Sequence, residues 1–416
     1  MALSRIVGVF RSSFGDISVG VWWLSLIMLI NRTGSMVFPF LSIYLTQHLH
    51  FSTLQTGWVL SMYGIGAMVG SLVGGWIADR FGNFRIQVFS LIFSGIGWWL
   101  LSYVSDYSHL LILVFFQTCI SESFRPANSS AIAALSRPEN MTRSYSLNRM
   151  SINLGYTLGP AIAGFLATIS YSFLFWVDGT SSILAGIVFM IIFRKIIWGP
   201  RPATEEKDKI VETQTKSPVS DIKFLFFIGA CILFATVFLQ LIFTLPLYYK
   251  EIYHLSDQWI GLLLAINGGI VVLSEMVIVY IIGNRIRHDK LIILGTLCIG
   301  ISFVVLTFFH HPIILILGIL LISYGEIFSM PYLMTYVTNI SNDKNRGRYM
   351  SFYSISFSIA MVIAPFAGMR IIKYYGFDML WYVAFFVTIL LSLIFNYLLR
   401  IPKKQVNVVA LSGLEN

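Results

Sequence analysis

"GGWIADRFGNFR", Gly74 to Arg85, is a polar turn between two apolar runs at 55-78 and 86-104. Asp79, Arg80 and Arg85 are costly inside hydrocarbon, while the runs beside them carry too few polar groups for a water-facing surface. A turn of this kind predicts a chain that crosses a bilayer, turns at its surface and crosses back.

The same rhythm continues in both directions. Apolar runs fall at 20-45, 55-78, 86-104, 109-135, 144-170 and 172-194, then at 222-248, 258-283, 289-309, 312-338, 348-372 and 378-400. At about 1.5 Å rise per residue, each spans a hydrocarbon core about 30 Å thick. Only 11% of the 416 residues are charged and 57% are hydrophobic, roughly half the charged share of a soluble domain. The expectation is an all-α integral membrane protein with twelve transmembrane helices. The first run holds Asn31 and Arg32 in its middle with no small-residue cleavage site behind it, so it reads as a retained helix.

Most of the 28 lysines and arginines fall in one set of loops, around Arg80 and Arg85, Arg137 and Arg143, Arg194 to Lys223, Arg285 to Lys290, and Lys344 to Arg348. Basic residues in short loops stay cytoplasmic, which places both termini in the cytoplasm of a multi-pass inner membrane protein. The formal net charge of +9 then faces anionic headgroups, and no nucleic-acid partner is implied. Cys119, Cys231 and Cys298 lie inside spans, so no disulfide is expected.

"RKIIWGPRPATEEKDKIVETQTKSPVSDIK", Arg194 to Lys223, interrupts the apolar rhythm with prolines and mixed charge. It divides the chain into an N-terminal bundle at 1-194, a cytoplasmic linker at 195-221, and a C-terminal bundle with a short tail at 222-416. The halves repeat: Pro126 and Pro331 lie 205 residues apart, as do Arg143 and Arg348, and Pro160 and Pro365. Parallel six-helix repeats of this kind build secondary transporters.

The opening stretch resembles the signature loop of the major facilitator superfamily, in which Gly75, Asp79, Arg80 and Gly82 match and Arg85 stands one place late. "GYTLGPAIAG" in the fifth run is similar to the motif of the superfamily's twelve-helix drug:proton antiporters, through Gly155, Gly159, Pro160 and Gly164. The fourth-span arginine motif is absent: Val114 stands where that arginine would be. The resemblance implies two pseudo-symmetric six-helix bundles, a signature loop that latches the cytoplasmic gate, and a fifth helix that seals the periplasmic side. Gly155, Gly159 and Ala163 at i, i+4 and i+8 form a stripe that lets a neighbouring backbone pass close by.

Charges at bilayer depth are functional candidates by default. The resemblance implies a central cavity lined by the first, fourth, seventh and tenth helices. Substrate and proton-coupling candidates are Asn31 and Arg32 on the first, Glu122 and Arg125 on the fourth, Gln240 on the seventh, Glu275 on the eighth and Glu326 on the tenth. Glu122 can pair with Arg125 at i+3 or with Arg32, and Glu326 is expected as its counterpart across the pseudo-symmetry axis. Glu275 and Glu326 have no basic residue in their own spans. Arg149 is expected either to snorkel to the cytoplasm or to reach the cavity, Asp178 to serve a helix end, and Trp22, Trp23 and Phe38 to be able to touch substrate.

No Gly-Lys phosphate loop, paired metal spacing or Gly-x-Ser-x-Gly elbow occurs, so no enzyme, metal or cofactor is expected. The sequence reads as a secondary active transporter, a proton-coupled antiporter exporting small amphipathic or drug-like compounds by alternating access. Family members usually work as monomers, which is the expectation here. The alternative is a proton-coupled importer or carrier of an anionic or zwitterionic metabolite, favoured by Arg32, Arg125 and Arg149 in the first half. A non-transporting receptor on the same fold is a third reading.

Overall fold

The computed structural model describes residues 17–137, 140–198, 218–282, 285–308, 311–341 and 345–399; the side chains of Asp79, Thr142, Met276, Tyr280 and Arg346 fall outside that description. Among the described residues the regular structure is all helix. Ten crossings are Val19–His48, Thr53–Phe81, Asn83–Leu101, Tyr107–Leu135, Met141–Ile169, Tyr171–Ile192, Ile222–Glu251, Asp257–Ile282, His288–Phe308 and Pro312–Ile340. The remaining stretch, Arg346–Leu398, runs for 53 residues, but Gly376 breaks it with φ 81° and ψ 175°. A helix of that length would be about 80 Å long, more than twice a bilayer core, so 346–375 and 377–398 are the eleventh and twelfth crossings.

Side-chain caps set where several helices begin, because the first N–H groups of a helix lack partners. Ser18 caps the first and Asp106 the fourth, while Ser170, Asp221 and His311 cap the sixth, seventh and tenth. Ser52 and Gln55 form a reciprocal capping box at the second. Loops alternate between two ends of the bundle. The far end carries residues 49–52, 102–106, 170 and 252–256, and the near end carries Gly82, Ser136, Arg137, Asn140 and 285–287.

Glycines draw the helices together. Gly66, Gly70 and Gly74 on the second helix lie against the fourth, where a Cβ on Gly66 would come within 3.1 Å of Thr118 Cβ, one on Gly70 within 2.7 Å of Cys119 Cα and one on Gly74 within 2.5 Å of Ser123 Cα. The other face of the second helix meets the eleventh: Gly64 abuts the backbone of Met361, and Ser61 Oγ donates to Val362 O at 3.0 Å. The fifth helix repeats the design. Gly155 and Gly159 face the first helix, while Pro160, Gly164 and Thr157 pack on Gly261 and Gly268 of the eighth.

These two seams join the bundles in their far halves. Phe38 and Phe243 meet edge to face at 5.4 Å beside them, and Phe38 stacks on Tyr63 at 4.5 Å. At the far end Tyr171 Oη donates to Asp257 Oδ1 at 3.0 Å, Lys250 Nζ pairs with the same oxygen at 2.8 Å, and Gln47 Nε2 donates to Glu251 at 3.3 Å.

The segment expected as linker, 195–221, has 199–217 outside the described residues. Its start is helical: Arg194–Trp198 continues from the sixth crossing, with Ile197 buried. Arg85 Nε donates to Ile197 O at 3.0 Å, and its guanidinium lies over Trp198.

Candidate functional site

Arg32 lies in the last turn of the first segment of the first helix, Val19–Gly34; the chain breaks at Ser35 and Met36 and resumes as Val37–Ile43. The break fits between two neighbours. Gly155 on the fifth helix lets Arg32 lie so close that a Cβ there would be 2.5 Å from Arg32 Cβ. On the other side the buried Asp178 of the sixth helix accepts from Val37 N at 3.5 Å, an N-cap supplied from a distance. Asp178 thus serves a helix end, that of the first helix rather than of its own.

From this break the Arg32 guanidinium reaches the fourth helix. It stands 4.0 Å from Glu122 Oε1, while Arg125 pairs with Glu122 Oε2 at 3.0 Å. Arg32 Nη1 also donates to Tyr156 Oη at 3.3 Å and lies over that ring. Arg32 is 8% exposed, and its buried Nε has no hydrogen-bond partner in the structure. Arg125 keeps 56% of its side chain exposed. One end of the cluster is sealed and the other is open.

A second cluster bridges the two bundles. Arg149 on the fifth helix forms an ion pair with Glu275 on the eighth. Asn267 donates to Ser323 at 2.9 Å, one turn before Glu326 on the tenth helix, and Asn267, Glu275 and Arg149 are the polar neighbours of the Glu326 carboxylate. Among the described residues no ion pair forms to Glu326 itself.

The structure corrects several expectations. Asn31 points away from Arg32 and donates to Ser182 Oγ on the sixth helix at 3.2 Å, because adjacent residues on a helix face different sides. Gln240 is spent on packing: it donates to Ala364 O at 2.9 Å, accepts from Thr244 at 2.8 Å, and holds the seventh helix against the eleventh where its own ladder is broken. Arg149 does not snorkel, and Glu275, without a cation in its own span, takes one from the fifth helix. Glu326, on the tenth helix, has Asn267 and Glu275 of the eighth as neighbours. Trp22 and Trp23 are exposed on the first helix, whereas Phe38 belongs to the aromatic contact between bundles.

At the signature loop Gly82 turns the chain with φ 98°, a conformation glycine adopts without strain. Gly75 makes only ordinary contact with Pro126, and the close approach falls at Gly74. Arg80 rests over the rings of Trp76 and Phe81. The Asp79 side chain lies outside the described residues, so the expected latch rests on the loop's sequence.

Sequence reasoning missed Tyr156, Asn267 and Ser323 as members of these clusters. Tyr156 had one legible signal: it follows Arg149 by seven residues and so shares its helix face.

The sequence profile of the Major Facilitator Superfamily matches residues 23–311 and 260–413. The chain belongs to this superfamily. It is 25% identical over 366 residues to a "Na(+), Li(+), K(+)/H(+) antiporter" of Planococcus maritimus, covering 81% of this chain and 85% of that protein. It is 22% identical to the multidrug resistance protein MdtH of Yersinia enterocolitica, over 84% of this chain and 86% of that protein. The quinolone resistance protein NorA of Staphylococcus aureus is 25% identical over 47% of this chain and 49% of its own. Among solved structures, a peptide transporter POT in complex with sulfate superposes with a TM-score of 0.76 at 18% identity, covering 92% of this chain and 96% of that one. The nucleoside transporter NupG superposes with a TM-score of 0.71 at 12% identity, covering 92% and 100%. These likenesses fix the superfamily's twelve-helix membrane fold.

Proposed function

We propose that this superfamily member is a proton-coupled antiporter that exports small amphipathic or drug-like compounds from the cytoplasm by alternating access. The near end, with the basic loops, is cytoplasmic, and the seams close the far end.

The observation that carries the reading is the second cluster: Glu275 is paired with Arg149, while Glu326 near them forms no ion pair among the described residues. A proton on Glu326 breaks no ion pair, whereas one on Glu122 or Glu275 does. Glu326 is therefore the proton carrier, and Arg149 with Glu275 reports its charge to the seam between the bundles. The aromatic surroundings, with Tyr156 exposed by 42%, suit an amphipathic substrate. Antiport follows if proton and substrate exclude each other at this cluster.

The test is purified protein in liposomes under an imposed pH gradient, reading the movement of a fluorescent amphipathic dye. Uphill dye movement that a protonophore abolishes supports the reading. Downhill movement alone, indifferent to the gradient, contradicts it.

A further inference from the structure

We infer that Asp178 is a positioning residue for Arg32: with Ser181 and Ser182 it holds the first helix in its broken form, and the break sets where the Arg32 guanidinium stands. This inference rests on the transport reading above and deepens it by naming what fixes one charge of the candidate site.

Asp178, Ser181 and Ser182 fall at i, i+3 and i+4 on the sixth helix and so share a face. That face runs antiparallel along the break. Asn31 Nδ2 donates to Ser182 Oγ at 3.2 Å, Gly34 lies so close to Ser181 that a Cβ there would overlap its hydroxyl, and Val37 N donates to Asp178 Oδ2 at 3.5 Å. Asp178 and Ser182 are both buried, and among the described residues Asp178 forms no ion pair.

The acceptor matters because of what the break leaves over. In an unbroken helix the Val37 N–H would bond to the Thr33 carbonyl. Here Ser35 N bonds to Arg32 O and Met36 N to Gly34 O, so the ladder stops short of Val37. Val37 is buried, and its N–H depends on the Asp178 carboxylate. The fifth helix grips the opposite side, where a Cβ on Gly155 would be 2.5 Å from Arg32 Cβ and one on Gly159 3.2 Å from Thr33 O. Such packing confines the chain without choosing where its ladder stops. Asp178 makes that choice by capping the second segment. With the break so placed, Arg32 Nη1 reaches Tyr156 Oη at 3.3 Å and stands 4.0 Å from Glu122 Oε1. A ladder closed from Val37 to Thr33 would turn the two segments relative to each other and draw the guanidinium off both partners.

The test uses the intact protein in nanodiscs. Hydrogen exchange over residues 33–40, read by mass spectrometry, needs no substrate: Asp178→Ala is expected to speed it about tenfold, while Asp178→Asn, which keeps an acceptor oxygen, should stay within about twofold of wild type. Binding of the fluorescent amphipathic dye, read by anisotropy without a gradient, then shows whether the hold acts through Arg32. Asp178→Ala should weaken binding about tenfold and Asp178→Asn less than about twofold, and adding Asp178→Ala to Arg32→Gln should cost less than about twofold more, because the charge it positions is already gone. Ser182→Ala releases Asn31 and spares the cap; an affinity loss of about threefold there keeps the comparison available where Asp178→Ala folds poorly. Wild-type behaviour of both alanine variants, full multiplication of the losses in the double variant, or an Asp178→Asn as damaged as Asp178→Ala overturns the inference, the last because the role would then belong to the charge. A wild-type protein that binds no dye counts against the transport reading, and hydrogen exchange still decides whether Asp178 holds the break.

Discussion

Arg149 on the fifth helix and Glu275 on the eighth, 126 residues apart in the chain, form an ion pair that joins the first bundle to the second. Its place is informative. The glycine seams hold the far halves together by close packing, which has no charge to switch, whereas this pair is charged and has Glu326 as a neighbour.

A double-mutant cycle with Arg149→Gln and Glu275→Gln should give a coupling of about 1 kcal/mol in thermal stability, small because Arg149 is largely exposed. Transport should respond far more: either single variant is expected to slow gradient-driven turnover at least tenfold, since the link between proton and seam is lost. Turnover assays in liposomes, alongside melting curves, check both halves. Wild-type turnover in both variants would reduce the pair to a structural contact.

Gly155 and Gly159 should differ on substitution. A Cβ at Gly155 would lie 2.5 Å from Arg32 Cβ, whereas one at Gly159 would lie 3.2 Å from Thr33 O. Gly155→Ala must displace the break that carries Arg32, so dye affinity is expected to fall about tenfold or more. Gly159→Ala should fall within about twofold of wild type, while Gly159→Leu should fold yet fail to complete the cycle. Ligand binding and transport of the three variants decide this order.

Gly376 is the fold's sharpest single-residue requirement. Its φ of 81° with ψ of 175° is a region that side chains resist. Gly376→Ala is expected to destabilise the protein by about 1 to 3 kcal/mol, seen as a lower melting temperature, with transport retained in the molecules that fold.

At the far end Asp257 accepts from Tyr171 and Lys250. Removing the Asp257 charge or the Tyr171 hydroxyl should loosen the far gate. Asp257→Asn and Tyr171→Phe are both expected to increase labelling of a cysteine placed at Phe38 by a membrane-impermeant reagent added from the far side. Unchanged labelling in both variants would show that the aromatic contact of Phe38 with Phe243 closes the gate unaided.

Much of the fold was legible in the sequence because bilayer crossing writes itself as hydrophobic length. The twelfth crossing shows how that length can survive where the hydrogen-bond ladder misleads: the apolar runs at 348-372 and 378-400 are separate in sequence, although helix continues through all of Arg346–Leu398 apart from Gly376. The pair Glu122 and Arg125 was also legible, since i and i+3 meet on any helix. The partner of Glu275 was not, because it arrives from a helix in the other bundle. Gln240 and Asn31 misled for a related reason. A polar residue in an apolar run announces a hydrogen bond, but its spacing does not say whether the partner is substrate or, as here, Ala364 and Ser182. The breaks in the first and seventh helices were hidden too, since the side chains that accommodate them, Asp178 and Gln240, carry no local signal of that role.

The decisive comparison is gradient-driven dye transport and dye affinity in Glu326→Gln and in Glu122→Gln, measured in the same liposomes. Glu326→Gln mimics the protonated acid and disturbs no ion pair among the described residues, so it is predicted to lose all dependence on the proton gradient while dye binding survives. Glu122→Gln is predicted to retain gradient dependence while losing affinity, because it leaves Arg32 and Arg125 without their common partner. Uphill transport by Glu326→Gln with an unaltered pH profile would contradict the assignment of Glu326 and move the proton to another carboxylate.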